Sequence, residues 1–189
     1  MSRWEPNTKQ RLKQIAMDLF DKRGFDETTI ADIAERAGLT ERTFFRYFTD
    51  KREVLFDGRA ALEDVFKDTI ATSPSSAPLQ MVSDALVVVG EFMESQRGRA
   101  VAARRQRIIT ANPELQEREL LKMNYLAVVI SEALQKRDVD RAAANLTADI
   151  ATTVFKNAFI EWVNGDNLHT LNDCINDLLA QFRVIAISE

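Results

Sequence analysis

The sequence predicts an all-α chain, and three observations carry that prediction. Six glycines and four prolines among 189 residues leave few breaks. No window alternates apolar and polar residues in the sustained way a half-buried strand requires. Apolar residues recur instead at three- and four-residue spacings, the stripe of a helix buried on one side. The pattern divides into a three-helix N-terminal domain over residues 1–52 and a larger helical domain over residues 53–189, about nine helices in all. A fourth helix, at about residues 51–71, connects them.

Composition bounds the rest. Apolar residues make up 46% of the chain and charged residues 29%, too apolar for disorder. The one cysteine, Cys174, has no partner for an internal disulfide, which fits a reducing cytoplasm. The polar start MSRWEPNTKQR does not read as a signal peptide, and no apolar run approaches the roughly 20 residues that span a bilayer. The expected location is cytoplasmic, with no membrane partner. Residues 1–52 hold 11 Lys and Arg against 9 Asp and Glu, a net of +2, while the remainder holds 14 against 20, a net of −6. A mildly basic end on an acidic body is compatible with nucleic acid at that end.

The elements follow in order. Thr8 is placed to cap a first helix whose apolar stripe is Leu12, Ile15, Ala16, Leu19 and Phe20, and Gly24 stops it. Thr29 opens a second helix with Asp32 at capping-box spacing, which buries Ile30, Ile33, Ala34 and Ala37 and ends at Gly38. Thr40 caps a third, short helix after a tight turn. Asp50 with Glu53 repeats the capping box and opens the connecting helix. TSPSSAP, Thr72 to Pro78, is the low-complexity break and reads as a linker between domains.

Helix, glycine-containing turn and short helix form a helix-turn-helix pattern. At about 100° per residue, Phe44 and Phe48 lie one turn apart on the side of helix three that packs on helices one and two. Arg42 and Arg46 fall opposite, flanked by Thr43 and Tyr47 on one edge and Glu41 and Phe45 on the other. A guanidinium fork suits guanine O6 and N7 or a phosphate, hydroxyls suit phosphates, and Phe45 suits a sugar or a thymine methyl. The helix starts at Thr29 and Lys51 can present N–H groups to phosphates, with Lys51 adding charge. The structural alternative is a three-helix domain whose arginine face is simply solvated.

The run IAMDLFDKRGFDETTIADIAERAGLTERTFFRYFTDKREVLF, Ile15 to Phe56, resembles the DNA-binding domain of TetR-family transcriptional regulators, without a gap. The resemblance implies a homodimer that binds a palindromic double-stranded operator and carries an all-α ligand-binding and dimerisation domain. It places DNA contacts on Thr29, Thr40, Glu41, Arg42, Thr43, Phe45, Arg46, Tyr47 and Lys51. Two positions depart from the family's habit. Phe45 stands where tyrosine is common, and Ala31 follows the second-helix cap where a polar residue is common, so specificity should rest on helix three.

Farther on, Asn112 can cap a helix with Pro113 in first position, and Asp140 the next, which runs to about Val163. From Leu168 onward, Leu171, Ile175, Leu178, Phe182 and Ile185 recur at helical seam spacing. The helix before it is apolar on two sides, with Ala151, Phe155, Ala158 and Trp162 on one stripe and Leu146, Ile150 and Val154 on another. In TetR-like proteins the last two helices pair across the dimer. That makes Ile150, Val154, Leu171, Ile175, Leu178 and Phe182 interface candidates, against the alternative of a purely internal core.

A helix at roughly 97–109 has Val101, Ile108 and Ile109 on its inward side, with Arg104 and Arg105 on or beside that stripe. A buried arginine needs a partner. One reading is a salt bridge to Glu117, Glu119 or an acid of the connecting helix; the other is that one arginine faces a pocket and binds an acidic ligand group. ARRQRIITANPELQERELLKM, Ala103 to Met123, is similar to the C-terminal domain of mycofactocin-type, acyl-CoA-like ligand-binding regulators. A long apolar ligand with an anionic head, such as an acyl-CoA, is the effector this implies. Phe92, Met93, Met123, Tyr125, Phe155, Phe159 and Trp162 are candidate pocket walls, with plain core packing as the alternative.

Enzyme chemistry finds no footing, and no cofactor is expected. His169 and Cys174 are five residues apart and lack a third ligand for a metal. No G-x-S-x-G, P-loop or G-x-G-x-x-G occurs. The remaining rival is a helical ligand-binding or scaffold protein that does not bind DNA, which predicts no salt-sensitive duplex binding. Repressor and activator are not separable by sequence.

Overall fold

The computed structural model describes residues 7–165 and 168–187, without the side chains of residues 96, 97 and 187. The first six residues of the polar start, Asp166 and Asn167, and the last two residues lie outside the description. Nine helices are present among the described residues, and no strand: α1 Thr8–Arg23, α2 Ile30–Arg36, α3 Glu41–Phe45, α4 Glu53–Phe56, α5 Arg59–Thr72, α6 Pro78–Thr110, α7 Pro113–Gln135, α8 Arg141–Asn164 and α9 Leu171–Ile187. The all-α expectation holds, with a helix-turn-helix at the N-terminal end and a larger helical part after it.

Two compact units divide the chain. One is formed by the residues up to Gly58 with Arg104–Gln116, the other by Arg59–Ala103 with the residues from Glu117 onward. The first unit therefore contains the end of α6 and the start of α7, a hairpin that the sequence boundary at residue 52 left to the second domain. Its apolar residues explain the placement: Ile108, Ile109 and Leu115 are buried in one cluster with Leu12, Phe20, Phe44 and Phe48. Phe44 is fully buried and tilts against Phe48 at 5.4 Å between ring centroids, while Phe20 meets Phe25 at 5.0 Å.

Three local expectations are corrected. The helix expected at about 51–71 is two helices, because the chain leaves α4 extended at Asp57 and turns at Gly58 with φ +100°, a conformation open to glycine. Thr8 is the first residue of α1 and Asn7 its N-cap, which makes no side-chain cap bond. Thr72 to Pro78 does not separate the units, since both of its flanks lie in the second. That loop is pinned. The Arg137 guanidinium donates to the carbonyls of Ile70 (2.6 Å), Ala71 (3.2 Å) and Ser75 (3.1 Å), and the Ser73 hydroxyl donates to Asp84.

The second unit buries Phe66, Ile70, Leu86, Ile130, Phe155 and Ile175 among others. α6 is broken at Gly98, so its last stretch is a helix of its own, as the spacing over 97–109 implied. The caps follow the sequence. Asn112 Oδ1 accepts the Leu115 N–H at 3.2 Å, and the Asp140 carboxylate accepts from Ala142 and Ala143. α9 begins at Leu171 rather than Leu168, which is 82% exposed, because Thr170 and Asp173 form a capping box there.

Candidate nucleic-acid interface

The N-terminal unit holds two short helices in a fixed turn. The Thr29 side chain accepts the Asp32 N–H at 3.1 Å, and the Asp32 carboxylate accepts the Thr29 N–H at 2.8 Å, so both ends of the box are closed. The Thr29 hydrogen bonds hold the Asp32 carboxyl below its ordinary pKa. α2 then ends as its residues dictate: Leu39 N–H reaches back to Ala34 O at 2.9 Å while Gly38 takes φ +64°. Thr40 caps α3 by accepting the Thr43 N–H at 3.2 Å, and Phe48 N–H still bonds Phe44 O at 3.1 Å, so the helical path outlasts the regular helix by a turn.

The division of this short helix is the one the angles require. Phe44 and Phe48 are buried at 0% and 2% exposure, while Glu41, Arg42, Phe45 and Arg46 are exposed, with Thr43 and Tyr47 half-buried at the edges. The Arg46 guanidinium lies 5.7 Å from the Tyr47 ring centroid. Thr29 and Thr40 are exposed at the starts of their helices. The outcome is a cationic, aromatic-edged ridge anchored from beneath by two buried rings.

Lys51 departs from its expected use. Its ammonium donates to Phe25 O at 2.7 Å, Thr28 O at 3.0 Å and Asp26 O at 3.3 Å, and sits 4.3 Å from the Phe25 ring centroid. Three donors and three carbonyls leave no N–H for a phosphate in this arrangement. The sequence could not show this, since the acceptors are backbone atoms more than 20 residues away.

The family model for bacterial regulatory proteins, tetR family, matches residues 14–57, the stretch that carries this ridge. The likeness to that family rests on this stretch. The transcriptional regulator TcmR of Streptomyces glaucescens is 35% identical over 91 residues, 47% of this chain and 40% of that relative's length. A protein of Mycobacterium tuberculosis (strain ATCC 25618 / H37Rv), named as the mycofactocin biosynthesis transcriptional regulator MftR, is 24% identical over 172 residues, 89% of this chain and 86% of its own. Among solved structures, a TetR-family repressor of Thermus thermophilus, FadR, in complex with lauroyl-CoA, has a TM-score of 0.54 at 18% identity, covering 94% of this chain and 93% of its own.

The other TetR-type candidates divide. Ile150, Val154, Leu178 and Phe182 line one open groove of about 320 Å³ between α8 and α9, together with Ile185, Asp149, Thr153, Asn157 and Gln181. Leu171 and Ile175 do not belong to it. Both are fully buried in the unit's own core beside Cys174 and Leu179, which corrects their assignment to a partner surface. A seam spaced at three and four residues drifts around a straight helix, so its start and its end meet different neighbours.

The pocket candidates divide as well. Phe155, Phe159 and Trp162 are buried in series, with centroid separations of 6.2 Å and 5.8 Å, and Phe66 meets Phe155 at 6.5 Å. Met93 and Met123 pack against that core, and Phe92 is half-buried. Tyr125 is 47% exposed beneath the Arg59 guanidinium, 4.8 Å from its ring centroid. Arg104 and Arg105 are corrected, because both are held by groups of the first unit. Arg104 bonds Asp18 at 2.7 Å and also Asp21, both on α1. Arg105, 6% exposed, donates to Leu55 O at 2.6 Å and lies over the Phe56 ring. Glu119 pairs with Lys122. Val101, expected inward, is 46% exposed. Glu63 was missed by sequence reasoning: it is 6% exposed and 3.3 Å from Arg59 Nε, and its spacing to Phe66 and Ile70 on the buried stripe of α5 was the signal that could have found it.

Proposed function

We propose that this protein is a DNA-binding transcriptional repressor of the cytoplasm that docks on a palindromic operator as a two-fold homodimer. The observation that carries the reading is the divided helix α3, with Phe44 and Phe48 buried and Arg42 and Arg46 exposed on the far side. One such helix reads too few base pairs to be selective in a genome, so two must be presented together. The apolar groove of Ile150, Val154, Leu178 and Phe182 is the surface we assign to that pairing. Thr29, Thr40, Thr43 and Tyr47 serve phosphates, and Glu41 and Phe45 edge the base-reading arginines. Selection of bound duplexes from a random pool, followed by salt titration, tests this. A palindromic consensus with half-sites one turn apart, about 34–36 Å, is expected. Failure to select any duplex returns the chain to the helical scaffold reading.

The effector we assign is a long apolar acid such as a fatty acyl-CoA, with Phe92, Met93, Met123, Phe155, Phe159 and Trp162 as the apolar wall. The lauroyl-CoA complex of the Thermus thermophilus relative in fold supports that class. The ligand must bind the DNA-free arrangement better than the DNA-bound one, since equal affinity shifts nothing. Arg104 and Arg105 have no part in holding it. Titrating acyl-CoAs of several chain lengths against the selected duplex complex is the measurement, and release by none of them removes this ligand class while leaving the DNA reading in place.

A further inference from the structure

We infer that Lys51 is a positioning residue for the helix-turn-helix, setting the turn between α1 and α2, and not a ligand of the DNA backbone. The turn from Phe25 to Thr28 has little regular hydrogen bonding of its own: Thr28 N–H reaches Phe25 O at 3.3 Å, and the Thr28 hydroxyl closes on Gly24 O at 2.8 Å. The carbonyls of Asp26 and Thr28 receive no such backbone bond among the described residues, at a place where Thr28 is fully buried and Phe25 nearly so. Lys51 serves these two and Phe25 O from one nitrogen, while its charge rests on the Phe25 ring.

The consequence falls on α2. Thr29 is the next residue in the chain and the N-cap of that helix, so a turn that loosens releases both the cap and the angle at which α2 meets α3. The same turn is gripped from its other side, where the Asn112 amide donates to both Asp26 oxygens at 3.0 and 3.1 Å. Asn112 holds the side chain of the turn and Lys51 holds its backbone. A convergent ammonium is needed for this, because a planar guanidinium fans its N–H groups apart and cannot aim three at carbonyls gathered about one point.

The duplex arm of the test rests on the DNA-binding reading above; the exchange arm does not. Full-length Lys51→Arg and Lys51→Met are compared with wild type by amide hydrogen exchange and by binding to a duplex selected from a random pool and to a scrambled duplex of the same composition. Both variants are expected to exchange about tenfold faster or more over residues 25–29, with α9 unchanged. Both are expected to lose about tenfold of their preference for the selected duplex while the salt slope stays put. A phosphate contact behaves otherwise: Lys51→Arg would bind as wild type, and Lys51→Met would weaken both duplexes alike and flatten the slope by about 0.9 per phosphate. Either result overturns the inference, as does unchanged exchange over the turn. If wild type selects no duplex, the proposed function falls and the exchange data alone decide whether Lys51 sets the turn.

Discussion

α3 and α9 both mix apolar and polar residues, yet they place their apolar residues differently. α3 has two anchors, Phe44 and Phe48, and both are buried in its own unit. α9 has more apolar residues than its unit buries: Leu171, Ile175 and Leu179 go inward, Leu178 and Phe182 remain half-buried, and Val184 and Ile185 are 67% and 74% exposed. In the first case what is left outside is polar apart from the Phe45 ring, and it suits the reading of a ligand. In the second, what is left outside is itself apolar and asks for a covering surface.

The largest effects should come from the anchors, and they should be alike in the two regions. Phe44→Ala is expected to cost about 3–5 kcal/mol, and Ile175→Ala about 2–5 kcal/mol, because each empties a fully buried site. Chemical denaturation followed by amide exchange would assign each loss to its own unit. A small loss at Ile175 would return that residue to the interface from which its burial removed it.

Next comes the outer face of α9. Leu178→Glu puts a charge into the groove opposite Val154 and Ile150, at the edge of a core whose buried residues Leu171, Ile175 and Leu179 are retained. The expected outcome is a folded monomer by sedimentation, with unaltered helical content and no operator binding. A dimer that survives the change would place the pairing surface elsewhere and erase the contrast drawn between the two helices.

Smaller effects belong to the outer face of α3. Arg42→Ala or Arg46→Ala should weaken operator binding by about 1–3 kcal/mol for each bidentate hydrogen-bond pair to a base that is removed, and relax selectivity at one base pair per half-site. Stability should stay within about 0.5 kcal/mol, as expected for exposed residues. Normal binding by the double variant would mean that Phe44 and Phe48 orient the helix for some other purpose.

How much was legible follows the same division. Caps and turns at Thr29, Gly38, Thr40, Asn112 and Asp140 could be read because each is a local arrangement of a side chain with backbone a few residues away. The buried side of α3 was legible for the same reason, since two rings one turn apart leave only one packing face. The partners of Lys51, Arg104 and Arg105 were not legible because they lie 23 to 86 residues off, at positions that no periodicity marks. Gly58 was missed because a single glycine inside a helical pattern is tolerated as often as not, and what breaks the helix here is the conformation of Asp57 before it.

The smallest prediction concerns that Asp57. Its carboxylate accepts from Lys9 at 2.7 Å and Lys13 at 3.0 Å, both on α1. Burial works to raise its pKa, but the two lysine hydrogen bonds outweigh it and hold the group below the ordinary carboxylate range. A folded pKa below the unfolded value of about 3.9 stabilises the fold fully above that value, and the stabilisation is lost as pH falls through the folded pKa. With lysine side chains 46% and 22% exposed, screening limits the contribution to about 1 kcal/mol or less. Asp57→Asn should therefore lower the melting temperature of the first unit near neutral pH, and the gap to wild type should close in acid and narrow in high salt. Leu178→Ala, which alters no titratable group, should show no such pH dependence in its own effect. Melts followed across the acid range check both. A gap for Asp57→Asn that is constant with pH would assign its role to the extended backbone ahead of Gly58, and would leave the charge without one.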